Sequence, residues 1–448
     1  MPGYRPLGRL AAIAVSATAA LALAACSSPS GSSSSSPSAS SSSSTTTAAI
    51  AAVPKCSSGT SAASQLKLGA FFPLTGGLAF LGPASVGGTD LALSDINAAG
   101  GVNGSKACIN LADSSDSPHA SISIANVNKM LQSKVSAIVG PESSGVAENV
   151  LPTVKASHTV LFSNAATDDG LSGVSPYFFR NPAPNAFEAK ALGNQIVADG
   201  HTKVAVLVFN DPYGTNLRNG IQKVVEAGGG KIVYGAQGKN QEFPATQTNF
   251  GSDVSAALAT KPDAIVIDAF DQAKQIVPAL ASAKFDLSKL YFVDGDLSDY
   301  TGAFPAGTLN GAKGTTQGVN PAPALKTRIA QAYQANGGSA KITSYGYGAE
   351  AYDATTLIAL AAQKAKATTS TAIQKALPAV SGTTHGTVCK SFAACSTLLK
   401  AGKEIQYTGF AGTGPFNSKH DISSGYISVY QYVGNNPSKF LGSSKEAD

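Results

Sequence analysis

The chain has 448 residues, a formal charge of +5, 43% hydrophobic residues and 13% charged residues. That is enough apolar sequence for full cores, and the folded stretch from Leu66 to about residue 435 suits two domains of ordinary size. The lysines are scattered without a basic run and there is no Trp, which speaks against the clustered cationic stripe of a nucleic-acid surface.

Arg5 and Arg9 precede an apolar run from Leu10 to Leu23, the layout of an export leader. The run is shorter than the roughly 20 apolar residues a spanning helix needs. It ends in Leu23-Ala24-Ala25-Cys26, which resembles the lipobox of bacterial lipoproteins. The resemblance implies a leader over 1–25, cleavage before Cys26 and diacylglycerol on the Cys26 sulfur, placing the protein on the outer face of the cell membrane. Residues 27–47 contain only Ser, Thr, Pro, Gly and Ala, which cannot build a core, so 26–64 reads as a disordered tether. Five cysteines are an odd count for an exported chain. Cys26 as lipid carrier leaves four, which allow three pairings; Cys56–Cys108 and Cys389–Cys395 are the pairs expected.

From Leu66 the pattern alternates strand and helix. Leu66 to Phe72 is an apolar run broken only by Lys67, as in a strand buried on both faces. Val86, Thr89, Leu93 and Ile96 recur at helical spacing until Gly100-Gly101. Ala107–Ala112, Val135–Val139 and Thr159–Ser163 read as strands, with helices after Ser117-Pro118 and over Gly145–Ser157. The rhythm restarts with strands at Lys203–Phe209, Lys231–Tyr234, Asp263–Ala269 and Leu290–Val293, and helices near 214–228, 246–260 and 271–284. Residues 322–380 are mostly helical, and Gly425–Val433 closes as a strand. The fold class is therefore α/β, with two lobes of parallel sheet covered by helices.

No G-x-S-x-G, H-E-x-x-H, C-x-x-C, P-loop or G-x-G-x-x-G motif is present, and the five histidines are far apart without metal-ligand spacing. Neither enzyme activity, metal nor cofactor is expected. Ligands of open α/β sheets bind beyond the carboxyl ends of the strands. The segments there are Gly140 to Gly145, with Ser144 placed to cap a helix, and Asn164 to Asp168 with Thr167. Asn210 to Gly214 with Tyr213, Phe270-Asp271, and Asp294-Gly295-Asp296 occupy the same position in the second lobe. Each of these also suits a plain cap, turn or core role.

Leu68-Gly69-Ala70, Leu74-Thr75-Gly76, Ala98 to Gly104, Ile138 to Pro141, Ser163 to Thr167, Asp211 to Gly214 and Gly414 to Asn417 follow one another in an order that resembles the leucine/isoleucine/valine-binding proteins. These are type I solute-binding lipoproteins of ABC importers. The resemblance implies two Rossmann-like lobes joined by three crossings, near Asn181–Asn185, Gly311–Asn320 and Tyr407–Phe416. An N-terminal lobe would comprise 65–184 and 313–406, and a C-terminal lobe 185–312 and 407–440. It implies that hinge closure traps an amino acid or related small carboxylate in the cleft and presents it to a membrane permease, the protein acting as a monomer. The family's carboxylate site falls on Ser144, Ala165 and Thr167, and its second-lobe rings on Tyr213 and Phe270. Its acidic partner for the ligand ammonium falls on Asp296, and a first-loop position on Leu81. A sensor of amides, urea or aromatic acids on the same fold is the alternative, and a surface enzyme a further one.

Overall fold

A computed structural model of the chain describes residues 50–57 and 65–447. The leader, Cys26 and most of the expected tether lie outside the described residues.

The first lobe is built on β1 (Lys67–Phe72), β2 (Cys108–Asp113), β3 (Ala137–Val139), β4 (Val160–Ser163) and β5 (Phe178–Arg180). They form a parallel sheet in the order β2-β1-β3-β4-β5. All six residues of β1 are buried, because helices cover both faces. Leu68, Ala70 and Phe72 meet Leu357 and Leu360 of the helix Gly348–Ala365. Phe71 points the other way, into a core with Val146 and Val150 of the helix Ser144–Ala156. That alternation is the two-residue period of a strand.

The second lobe holds β6 (Lys203–Val208), β7 (Lys231–Tyr234), β8 (Ala264–Asp268), β9 (Leu290–Phe292) and β10 (Lys313–Gln317). A small two-stranded sheet follows, from β11 (Thr387–Cys389) and β12 (Ile405–Tyr407), and then β13 (Ser424–Tyr432) and β14 (Ser438–Ala447). The large sheet runs β14-β13-β10-β9-β8-β6-β7, with the β10–β13 and β13–β14 pairings antiparallel and the rest parallel. Its core gathers Val204, Val206, Val208, Ile265, Ile267 and Phe292.

Three details differ from the sequence expectation. The family pattern returns the chain to the first lobe at residue 313, but Lys313–Gln317 is a strand of the second sheet, paired with β9 and β13. Return to the first lobe follows it, with the helices Pro323–Ala335 and Gly348–Ala365 packing against the helix Gly82–Ala98. Composition extends the tether to residue 64, but residues 50–57 form a strap along the edge strand β2. Ile109 N donates to Pro54 O at 3.0 Å, Cys56 N to Ile109 O at 3.2 Å, and Val53 N to Asn336 Oδ1 at 2.8 Å. This strap covers an edge that otherwise presents unpaired backbone groups. Finally, the second lobe continues past residue 440 through β14, whose polar residues carry no apolar alternation and which pairs through its backbone.

Both expected disulfides are present, Cys56–Cys108 with a Cα–Cα distance of 5.0 Å and Cys389–Cys395 with 5.4 Å. The first locks the strap to β2. The second ties β11 to the helix Phe392–Lys400.

Candidate functional site

The loop after β3 turns on Gly140, whose φ is +106°. A Cβ there would lie 2.0 Å from the Phe71 carbonyl oxygen, so only glycine fits. The turn delivers Glu142, Ser143 and Ser144 to the start of the helix Ser144–Ala156. Ser143, not Ser144, is the cap: its Oγ accepts from Val146 N at 3.3 Å. Ser144 is already inside the helix, and its Oγ accepts from Thr167 N and Asp168 N, both at 3.2 Å. It thereby holds the loop after β4 against the helix N-terminus, where free N–H groups favour an anion. Glu142 is buried, and neither carboxyl oxygen has a hydrogen-bond partner among the described residues. Burial pushes it up to about 7, against a smaller downward pull from Ser85 and Asn164.

The second lobe supplies the opposite wall. Asp211 caps the helix Pro212–Ala227 by accepting from Tyr213 N at 3.0 Å, which sets the direction of the Tyr213 ring. That ring lies over Phe270, with centroids 5.7 Å apart and planes 25° from parallel. Asp294, just past β9, accepts the hydroxyl protons of Tyr213 and Tyr347, one on each oxygen. Burial first, and the Asp294 charge second, hold both phenols protonated. Behind Asp294 stands Glu188, raised well above the usual carboxylate range by burial and then by Asp294; it accepts from Asp294 N at 3.0 Å and Thr315 Oγ1 at 2.7 Å.

Leu81, Ser144, Ala165, Tyr213, Phe270 and Asp294 meet around one small cavity, joined by Glu142, Ser143 and Tyr347. Its volume is about 20 Å³, near the room of one water. Leu81, Asp294 and Tyr347 also bound a neighbouring chamber of about 190 Å³. The lobes are in contact around it. Ser117 donates to Asp211, Asp169 N to Asn216 Oδ1 at 3.3 Å, and Tyr347 to Asp294. Seating anything as large as an amino acid in the small cavity therefore requires the lobes to part.

Five of the seven positions singled out from sequence line this cavity: Leu81, Ser144, Ala165, Tyr213 and Phe270. Thr167 and Asp296 are not in its lining. Thr167 is buried beside Ser144 with its Oγ1 unpartnered. Asp296 turns inward and accepts from Val293 N at 2.9 Å; burial and the Asp268 charge keep its carboxyl well above the ordinary range. The carboxylate that reaches the cleft is Asp294, two residues earlier. Glu142, Ser143 and Tyr347 were missed. Tyr347 has a left-handed backbone, φ 62°, and leads a first-lobe helix, yet its ring packs in the second-lobe core. Nothing local in the sequence marks that reach.

Two parallel-dominated sheets with a closed cleft beyond their strand ends define a two-lobed α/β binding fold. Residues 65–395 match the family model described as periplasmic binding protein, and the chain belongs to that family. A Leu/Ile/Val-binding protein homolog 3 of Brucella melitensis is 26% identical over 172 residues, covering 38% of this chain and 46% of the relative. Glutamate receptor 3.4 of Arabidopsis thaliana is 31% identical over 160 residues, covering 35% of this chain and 16% of the receptor. The chain thus spans about half or less of the length of these curated relatives. Among solved structures, the branched-chain amino acid transporter substrate binding protein LivJ of Streptococcus pneumoniae, in complex with isoleucine, aligns with a TM-score of 0.65 at 23% identity, covering 86% of this chain and 100% of its own. A solute binding protein of an ABC transporter from Rhodopseudomonas palustris, in complex with p-hydroxybenzoic acid, aligns with a TM-score of 0.68 at 18% identity, covering 86% and 98%. Among the described residues no helix is long and apolar enough to cross a membrane.

Proposed function

We propose that the protein is the extracytoplasmic substrate-binding component of an ABC transporter, taking an amino acid or related small carboxylate between its lobes. The observation that carries this reading is the polarity of the closed cleft. A helix N-terminus with Ser143 and Ser144 stands on the first-lobe side, and the Asp294 carboxylate on the second-lobe side, with Leu81, Tyr213 and Phe270 beside them. The first suits a ligand carboxylate and the second a ligand ammonium. Ser144 Oγ accepts two N–H bonds, which leaves its hydroxyl proton to donate. Each lobe carries part of the site, so a ligand bridging them favours the closed arrangement. Binding, rather than turnover, is the activity. The lipid-anchored location, with Cys26 as the anchor and a permease as the docking partner, belongs to the same reading and rests on the leader and tether sequence.

The stacked Tyr213 and Phe270 rings favour a second reading, in which the ligand is an aromatic acid without an ammonium group. A thermal-shift panel of the twenty amino acids and substituted benzoates, run on the purified protein and on Asp294→Asn, separates the two. Stabilisation by an amino acid that Asp294→Asn abolishes supports the first reading. Stabilisation by a benzoate that survives the substitution replaces it with the second.

A further inference from the structure

The strap encloses more than a strand edge. Between it, β1, β2 and the helix Gly82–Ala98 lies a cavity of about 510 Å³. That is within the range of small-molecule sites, about 300–1,000 Å³. None of its lining residues belongs to the cleft. Val53 of the strap, Val86 of the helix and Ile109 and Leu111 of β2 give it apolar walls.

Asp90 enters it from the helix. The residue is 4% exposed, yet its carboxylate makes no hydrogen bond or ion pair with any described residue, and burial alone acts on it, raising it to about 7. Buried carboxylates are ordinarily paired, because an unpaired one bears the full cost of desolvation. The same lobe shows the ordinary case. Asp353 accepts from Tyr407 Oη at 2.8 Å, Phe410 N at 3.0 Å and Ala411 N at 2.7 Å, and Asp421 pairs with Arg180 at 2.6 Å. Asp90 instead faces open volume, as half of an ion pair would. Asn336, also in the lining, makes no hydrogen bond to it; its side chain accepts from Val53 N and donates to Ala332 O.

We propose that this cavity is a second small-molecule site, separate from the cleft, for a ligand bearing one primary ammonium group on a short apolar body. The ammonium meets Asp90, and the body lies against Val86, Ile109 and Leu111. Lys55, exposed on the strap and also in the lining, disfavours a second cationic group in the cavity, so monoamines are preferred over diamines.

Calorimetric titration of the purified protein at pH 8 tests this with hexylamine, phenethylamine, 1,6-diaminohexane and hexanol. The expected result is saturable one-site binding of the two monoamines, at least tenfold tighter than hexanol and tighter than the diamine. Asp90→Asn is expected to weaken the monoamines at least tenfold while leaving hexanol, and the thermal shift given by cleft ligands, unchanged. Absence of saturable monoamine binding overturns the proposal, and so does monoamine binding that Asp90→Asn leaves intact. If that variant fails to fold, the contrast on the unaltered protein decides: equal affinities for hexylamine and hexanol overturn it. Because the deciding readouts are monoamine binding and its dependence on Asp90, with cleft ligands only as a control, the outcome is independent of the transport reading.

Discussion

Replacing Tyr347 by Phe removes one hydroxyl and keeps the ring. That hydroxyl belongs to a residue leading a first-lobe helix and donates to Asp294 of the second lobe. The bond therefore exists in the closed arrangement and is exchanged for water when the lobes part. A hydrogen bond to a charged group contributes about 1.5–3 kcal/mol net. The closed state should lose that amount relative to the open one, and each 1.4 kcal/mol is about a factor of ten in an equilibrium constant. Ligand affinity should fall about 10- to 100-fold, with the packing that sets overall stability largely kept. Tyr213→Phe is the internal control. Its bond to the same carboxylate lies within the second lobe, and Gly295 N donates to its oxygen at 3.1 Å, so its loss acts on open and closed states alike. Calorimetric titration of both variants with the strongest amino acid of the thermal-shift panel makes the comparison. Equal affinity losses in the two variants, or none in Tyr347→Phe, would refute the reasoning.

Asp421→Ala should cost about 3–5 kcal/mol, because it leaves the Arg180 guanidinium buried without its carboxylate; chemical denaturation measures the loss. Reducing Cys56–Cys108 should lower stability by about 2–4 kcal/mol and free the strap, read as a fall in melting temperature and new hydrogen exchange at Ile109. Stability should also decline as pH rises from about 4 toward 8. Burial raises Asp90 and Glu142 to about 7, Asp353 to about 6 and Glu350 to about 8, so the folded state holds protons there that the unfolded chain has released. Their stabilising contribution is full below the unfolded values and is lost as pH climbs through the folded ones. Asp199, Asp263 and Asp113 are lowered by hydrogen bonds that outweigh their burial and act oppositely, only below about 4. A melting temperature that rises steadily from pH 5 to 8 would contradict this balance.

The parallel strands were legible because they are buried on both faces and appear as apolar runs, as in Leu68–Phe72 and Ala264–Ile267. β14 was not, since its pairing is made by backbone groups and its side chains, polar apart from Phe440, Leu441 and Ala447, show no apolar alternation. Within the cleft, Ser144, Ala165, Tyr213 and Phe270 were legible because they lie in the segments that follow strands and the resemblance places family site positions on them. Asp294 and Asp296 could not be told apart by spacing alone. The choice is made by the turn, in which Asp296 folds back onto Val293 N and Asp294 is left to face Tyr213 and Tyr347. Tyr347 lay out of reach for a different reason. Its role depends on where a distant first-lobe helix begins relative to the second lobe, a tertiary fact without a local signature.

The central claim is that a small ligand closes the two lobes upon itself. Small-angle X-ray scattering of the purified protein, with and without a saturating concentration of the best ligand from the panel, tests it most directly. A smaller radius of gyration is expected with ligand, matching the arrangement in which Tyr347 reaches Asp294. Saturable binding with an unchanged radius of gyration would contradict it.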